Sequence, residues 1–386
     1  MSDFYCAAPW RGLHIDPSGR IKTCCAGAPD TLGNLNNHTI DQVINGQKLQ
    51  EIRKTISQGQ FHPYCSICKY SENQGNQSER MWHNRENLDI DYATAGLEYH
   101  YPTIIDVRWN TTCNLSCNYC DSNSSSRWAD LKSVPYEIKT RTHYKEVCDF
   151  IGQHSQKTKT LALVGGEPLL MVENERLLDV IDSDCQITVI TNLNHDLEKN
   201  KVFRKLKDRK HVSWSLSFDN IQERFEYVRY GSSWALMQNN LSIINNLKYH
   251  CGHTAGAHAV YNLYNATRLC EFKEFLNSIN LSVVWQPIFS MPHLDPHQHD
   301  YRVKELAMKE IELAFSKNLL ADSEQEYMQQ HIERLQNSTQ ENCNIVNKFQ
   351  EHTMKIETKY HPDTKDQFVK LWPELAFLME TTRHDA

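Results

Sequence analysis

The chain has 386 residues, with 41 Lys and Arg against 48 Asp and Glu, a formal charge of −7. That length allows a core domain of barrel size plus one or two smaller ones, and the acidic balance argues against a nucleic-acid partner gripped through its phosphates. No run reaches the roughly 18 apolar residues of a membrane helix, and MSDFYCAAPW lacks the basic-then-apolar pattern of a leader, so a cytoplasmic protein with no membrane partner is expected.

Residues 1 to about 85 are turn-rich. GLHIDPSGRIKTCC reads as a short hairpin about Pro17, Ser18 and Gly19, and IDQVINGQKLQEIRKTISQG as a helix. A polar connection covers residues 86–100. Six strand-like runs then follow, TIIDVRW, TLALVGG, QITVITNL, HVSWSLSFD, GAHAVYNL and SVVWQPI, with helix-like segments between them. Such alternation predicts an α/β fold of parallel strands with covering helices. Beyond residue 300 the chain is charged and helical. The expected division is residues 1–85, 100–300 and 301–386.

Thirteen cysteines in a long chain without a leader point to metal-held thiols rather than disulfides. Cys113, Cys117 and Cys120 follow the first strand of the series in RWNTTCNLSCNYCDS. Three thiolates in one loop can hold three corners of a four-iron cluster and leave the fourth iron open to a small molecule. Three ligands of a structural zinc are the competing reading. A second motif, Gly165, Gly166, Glu167 and Pro168, ends the next strand; paired glycines permit close approach to a ligand, and the carboxylate can accept from an ammonium group. Thr191, Asn192, Ser217 and Asp219 end the following two strands, where barrel folds collect ligand groups.

The triplet, with Tyr119 just before its last cysteine and the later motifs in order, resembles the radical S-adenosylmethionine (SAM) superfamily. The resemblance covers roughly three quarters of the chain. It implies a partial (β/α)6 barrel of the TIM type, a [4Fe–4S] cluster on Cys113, Cys117 and Cys120 that is chelated by SAM, a Gly165, Gly166, Glu167, Pro168 turn at the SAM amino group, Ser217 in contact with SAM, and Arg229 paired with the SAM carboxylate. SAM would be cleaved reductively to a 5′-deoxyadenosyl radical that takes hydrogen from a substrate.

The N-terminal region carries Cys6, Gly19, Cys24, Cys25, Cys65 and Cys68, with Gly33, Asn34 and Leu35 between. This set resembles a twitch domain, the shortened relative of the SPASM domain, and implies one auxiliary [4Fe–4S] cluster on Cys6, Cys24, Cys65 and Cys68. It departs from the usual arrangement by preceding the barrel. Cys24 is preferred to Cys25 for its distance from Gly19, and zinc stays open at this site. The implied partners are a reductant such as flavodoxin or ferredoxin and a peptide or small-molecule substrate. A SAM-independent electron carrier and a zinc-stabilised binding module are the rival classes. His293, His297 and His299 read as a surface loop, the basic run from Lys201 to Lys210 as a solvated helix face, and Tyr261, Asn262 and Trp285 as strand ends that line the substrate space.

Overall fold

Gly19, at φ +80°, turns the chain between β1 (Gly12–Ile15) and β2 (Arg20–Lys22), which pair antiparallel; β3 (Gly33–Asn34) then pairs with β2. A left-handed turn position costs glycine nothing and any other residue strain. The protein's structure is a computed structural model that describes residues 4–380, apart from 30–31, 74–76, 86–95, 98–100, 137, 289 and 338–342. The polar connection expected over residues 86–100 lies almost wholly outside the described residues.

The six apolar runs form β4 (Ile104–Val107), β5 (Thr160–Leu163), β6 (Gln186–Thr191), β7 (Val212–Ser217), β8 (Thr254–Tyr261) and β9 (Ser282–Pro287), each parallel to the next. One pairing was not legible beforehand: β1 runs parallel to β4, so the hairpin extends the same sheet, in the order β3-β2-β1-β4-β5-β6-β7-β8-β9. The sheet is open, with β3 and β9 as its edges.

Alternation along the strands separates two faces. Ile105, Val107, Leu161, Leu163, Ile187, Val189, Trp214 and Leu216 are at most 1% exposed, and helices such as Tyr144–Gln153, Glu173–Val180, Lys201–Lys207 and Trp234–His250 cover them. Full burial of each such side chain contributes about 1.5–3 kcal/mol. The residues between them, Asp106, Ala162, Thr188, Ser213, Ser215, Ser217 and His258, are only half-buried and line the inner face.

Asn45 and Gly46 break the helix expected over residues 40–59 into Ile40–Ile44 and Gln47–Ser57. The C-terminal region is helical, with Tyr301–Ser316, Asp322–Asn337 and Cys343–Lys355 followed by short turns to Met379. It packs through Phe349, Phe368 and Trp372 on Tyr227 and Tyr264, and the Trp372 indole donates to the Tyr264 carbonyl at 2.9 Å.

Two expectations need correction. The stretch 293–299 is no surface loop: His297 and His299 are buried, and His297 bonds to His331 at 2.9 Å, because the C-terminal helices fold over it. Tyr261 and Trp285 do not line the inner space. They lie on the helix-covered face, packed edge to face on each other, since each is in phase with the apolar residues of its strand. Asn262 caps the short helix Leu263–Ala266.

Candidate functional site

The loop that carries Cys113, Cys117 and Cys120 leaves β4 and is fastened along its length. Cys113 N donates to Ser126 Oγ at 3.1 Å, Ser116 N to the Tyr230 carbonyl at 3.0 Å, and Asn118 N to the Val228 carbonyl at 2.7 Å. The Ser125 hydroxyl and the Trp128 indole donate to the Leu115 and Cys117 carbonyls at 2.7 and 2.9 Å. The C-terminal region adds His361, whose Nε2 lies 3.0 Å from the Ser116 hydroxyl. The sulfurs are thus held by a spent backbone rather than by one another.

Cys117 is buried; Cys113 and Cys120 are half-buried. Burial, then the neighbouring Cys117, pushes the Cys113 thiol up to about 12, and burial raises Cys117 and Cys120 as well. Thiols so placed ionise only when a metal displaces their protons. Two N–H donors already face sulfur: Asn192 Nδ2 lies 3.8 Å from Cys113 Sγ, and Arg229 Nη1 4.0 Å from Cys117 Sγ. Donors of this kind tune iron–sulfur clusters, so the residues present fit such a group.

The turn after β5 presses against this loop. A Cβ on Gly166 would sit 2.3 Å from the Thr112 carbonyl oxygen and 2.6 Å from that of Thr111, and Glu167 N donates to the Thr112 carbonyl at 2.7 Å. Gly165 has φ +142°. The close approach that the glycines permit is therefore to the cysteine loop of the chain itself. Pro168 is buried and opens a 3₁₀ turn.

Glu167 is fully buried. Its carboxylate accepts from Thr191 Oγ at 2.7 Å, Asn192 N at 2.7 Å and Leu169 N at 3.2 Å, and burial lifts it to about 7 against these bonds. Asn192 reaches on to Asn114 Oδ1 at 2.9 Å, and Asn114 Nδ2 donates to the Asn194 carbonyl at 2.8 Å. Asn114 and Asn194 escaped the sequence reading, because nothing in their local pattern sets them apart from turn residues.

Asp219 is the hub of the other flank. It accepts from Tyr119 Oη at 2.5 Å, Arg229 Nε and Nη2 at 3.1 and 3.0 Å, and Val260 N at 2.7 Å. The Arg229 guanidinium lies 5.4 Å from the Tyr119 ring centre. The pair is buried, and Asp219 answers the charge of Arg229 without any added ligand. Ser217 ends β7 on the inner face, in register with His258. All these residues meet at the carboxyl ends of β4 to β8.

In the N-terminal region Cys6, Cys24, Cys65 and Cys68 line one pocket with Thr23, Tyr64 and Arg80; Cys25 is not among its walls. Burial pushes the Cys65 thiol up to about 12 and raises Cys6, Cys24 and Cys68. The Tyr64 hydroxyl accepts from Thr23 N at 2.8 Å, and Arg80 is paired with Glu72 at 2.5 Å. Among the described residues no three ligating side chains close on a single point as one ion demands. Four thiols around one pocket provide the donor set of an auxiliary iron–sulfur cluster.

Comparison with known families agrees. The family model "Radical SAM superfamily" matches residues 107–258, and the "Iron-sulfur cluster-binding domain" model (SPASM) matches residues 6–69; together they span more than half of the chain. Residues 107–258 are a radical SAM domain and residues 6–69 an iron–sulfur-binding SPASM domain. The radical SAM domain implies a [4Fe–4S] cluster with SAM, and the SPASM match implies auxiliary iron–sulfur ligation. The 7-carboxy-7-deazaguanine synthase of Clostridium acetobutylicum is 39% identical over 88 residues, 22% of this chain and 36% of that protein. The radical SAM chain thus spans about a third of the length of this curated relative. Among solved structures, Streptococcus suis SuiB bound to S-adenosylmethionine aligns at TM-score 0.43 and 14% identity, over 69% of this chain and 64% of that one. Native anSMEcpe with bound AdoMet aligns at 0.39 and 16%, over 53% and 58%. Among the described residues no helix is long and apolar enough to cross a membrane.

Proposed function

We propose that this radical SAM enzyme oxidises its substrate, with the catalytic cluster on Cys113, Cys117 and Cys120 and one auxiliary [4Fe–4S] cluster on Cys6, Cys24, Cys65 and Cys68. When bound, the catalytic cluster and SAM supply reductive cleavage to a 5′-deoxyadenosyl radical able to remove hydrogen from an unactivated C–H bond. One observation carries the oxidative reading: the two cysteine sets stand at opposite ends of the same strand pair. Cys113 follows the carboxyl end of β4. Cys24 follows β2, which runs back toward the amino end of β1 beside it. Four paired residues, about 13 Å of strand, separate the ends, and the inner face lies between. An electron leaving a substrate in that space has an acceptor at hand.

The chain's own residues orient SAM. The backbone of the 165–168 turn and Ser217 face its amino acid part, and Arg229 keeps its Nη1 edge for the carboxylate while Asp219 and Tyr119 hold the guanidinium still. Glu167, with Thr191 and Asn192, fixes that turn against the cysteine loop. The domain division is residues 1–85, 100–300 and 301–386, with the first and second sharing a sheet. The substrate is a peptide or a small molecule, the reductant a flavodoxin or ferredoxin, and the setting cytoplasmic.

The test is anaerobic reconstitution. Wild-type protein should hold about eight irons and release 5′-deoxyadenosine from SAM with dithionite, and the Cys113→Ala, Cys117→Ala, Cys120→Ala triple variant about four irons and no cleavage. Retained cleavage in the triple variant would sink the assignment.

A further inference from the structure

β1 and β4 bear charged and titratable groups on the inner face where neighbouring strands bear small ones. His14 and Asp106 stand opposite each other in register, with His14 Nδ1 2.9 Å from Asp106 Oδ2. An ionised carboxylate only accepts, so His14 donates its Nδ1–H and presents a lone pair at Nε2. That Nε2 has no hydrogen-bond partner among the described residues and is not one of the polar atoms sealed from solvent. Arg108, on the same face, donates from Nη2 to the same carboxylate at 2.9 Å.

Three charged groups face His14: Asp106, Arg108 and Lys22. Burial first, then Arg108 and Lys22, holds the imidazole below its ordinary value despite Asp106. Burial opposes the charge of Asp106, and Arg108 and His14 outweigh it, leaving the carboxyl well below the usual range. Level with the pair across the sheet are Ala162, Thr188 and Ser213. Their short side chains leave the inner space open beside it.

We propose that His14 and Asp106 form a proton-accepting dyad in the barrel lumen, with His14 Nε2 taking the proton released as the substrate is oxidised. This rests on the oxidative reading above. It also narrows the substrate to one bearing an O–H or N–H on the carbon that loses hydrogen. A hydrogen atom leaves the C–H bond for the radical drawn from SAM. His14 takes the heteroatom's proton as the carbon–heteroatom bond becomes double, and the auxiliary iron–sulfur cluster, when bound, would accept the one electron released. His14 is the catalytic residue, since it touches the leaving proton, and Asp106 is a positioning residue that fixes the tautomer. An imidazole held below its ordinary value is neutral at pH 7 and keeps the Nε2 lone pair that takes the proton.

The probe is diethyl pyrocarbonate, which acylates unprotonated imidazole nitrogen, applied to reconstituted wild-type holoenzyme and mapped by peptide mass spectrometry with exposed His250 as reference. His14 should react at pH 7, its rate following a single ionisation below the ordinary value of an imidazole. Asp106→Asn should slow it by about tenfold and Asp106→Glu restore part of the rate, as expected for an oriented base. An unreactive His14 beside a reactive His250 overturns the proposal, as does an Asp106→Asn profile identical to wild type. If Asp106→Asn loses its iron, the wild-type pH profile decides alone: a rate without that ionisation refutes the dyad. The 5′-deoxyadenosine assay on wild type reads the enzyme class separately, so the two readings fail independently.

Discussion

Replacing Asp219 by alanine removes the acceptor for four donors at once, from Tyr119, Arg229 (two) and Val260. The side chains of Asp219 and Arg229 are 1% and 7% exposed, so the guanidinium would be left buried without a counter-charge. Breaking a buried pair from one side costs about 3–5 kcal/mol. Domains of 150–250 residues lose about 2–4 °C per kcal/mol, and a chain of this size roughly half that, so the midpoint should fall by roughly 3–10 °C. Asp219→Ala combined with Arg229→Met removes both charges and should recover most of the loss, because an apolar replacement of the whole pair escapes the desolvation cost. The assay is anaerobic thermal unfolding of the reconstituted proteins with an iron count for each. A double variant that loses the sum of the two single losses would refute the argument, since independent residues add.

Cys65→Ala with Cys68→Ala should remove about four irons while reductive SAM cleavage continues; loss of one zinc with iron intact would make the N-terminal site a structural zinc module. Glu167 titrates at about 7 when folded, above the 4.5 of an exposed glutamate, so the fold favours its neutral acid. That contribution is complete below about pH 4.5 and declines as pH rises through 7, by at most about 3 kcal/mol. Glu167→Gln, which cannot ionise, should flatten the midpoint between pH 5 and 8 relative to wild type, and an unchanged slope would assign the pH dependence to other groups.

Local signals carried much of this protein. The 113–120 spacing places three thiols in one loop and the 65–68 spacing two thiols at the start of one helix, and the six apolar runs have the length and bounding turns of buried strands. The same local logic failed at Tyr261 and Trp285, where the strand was right and the face was wrong. A side chain's phase along a parallel strand is visible in sequence, but which phase meets the helices is decided by packing. It failed again at 293–299, whose polar look is answered by His331 on a helix more than thirty residues later.

Sequence alone determined the order of the motifs and the six successive parallel strands β4 to β9, because each rests on residues that are neighbours in the chain. The pairing of β1 with β4 was settled only by tertiary structure, as it joins segments some ninety residues apart, and loop closure over that span leaves no local trace. From that one pairing follow the placement of the two cysteine sets at opposite ends of a shared strand pair and the meeting of His14 with Asp106. The tight seat of Gly166 on Thr112 and the union of Asp219 with Tyr119 and Arg229 have the same origin, in backbones and charges that meet only when the sheet is assembled.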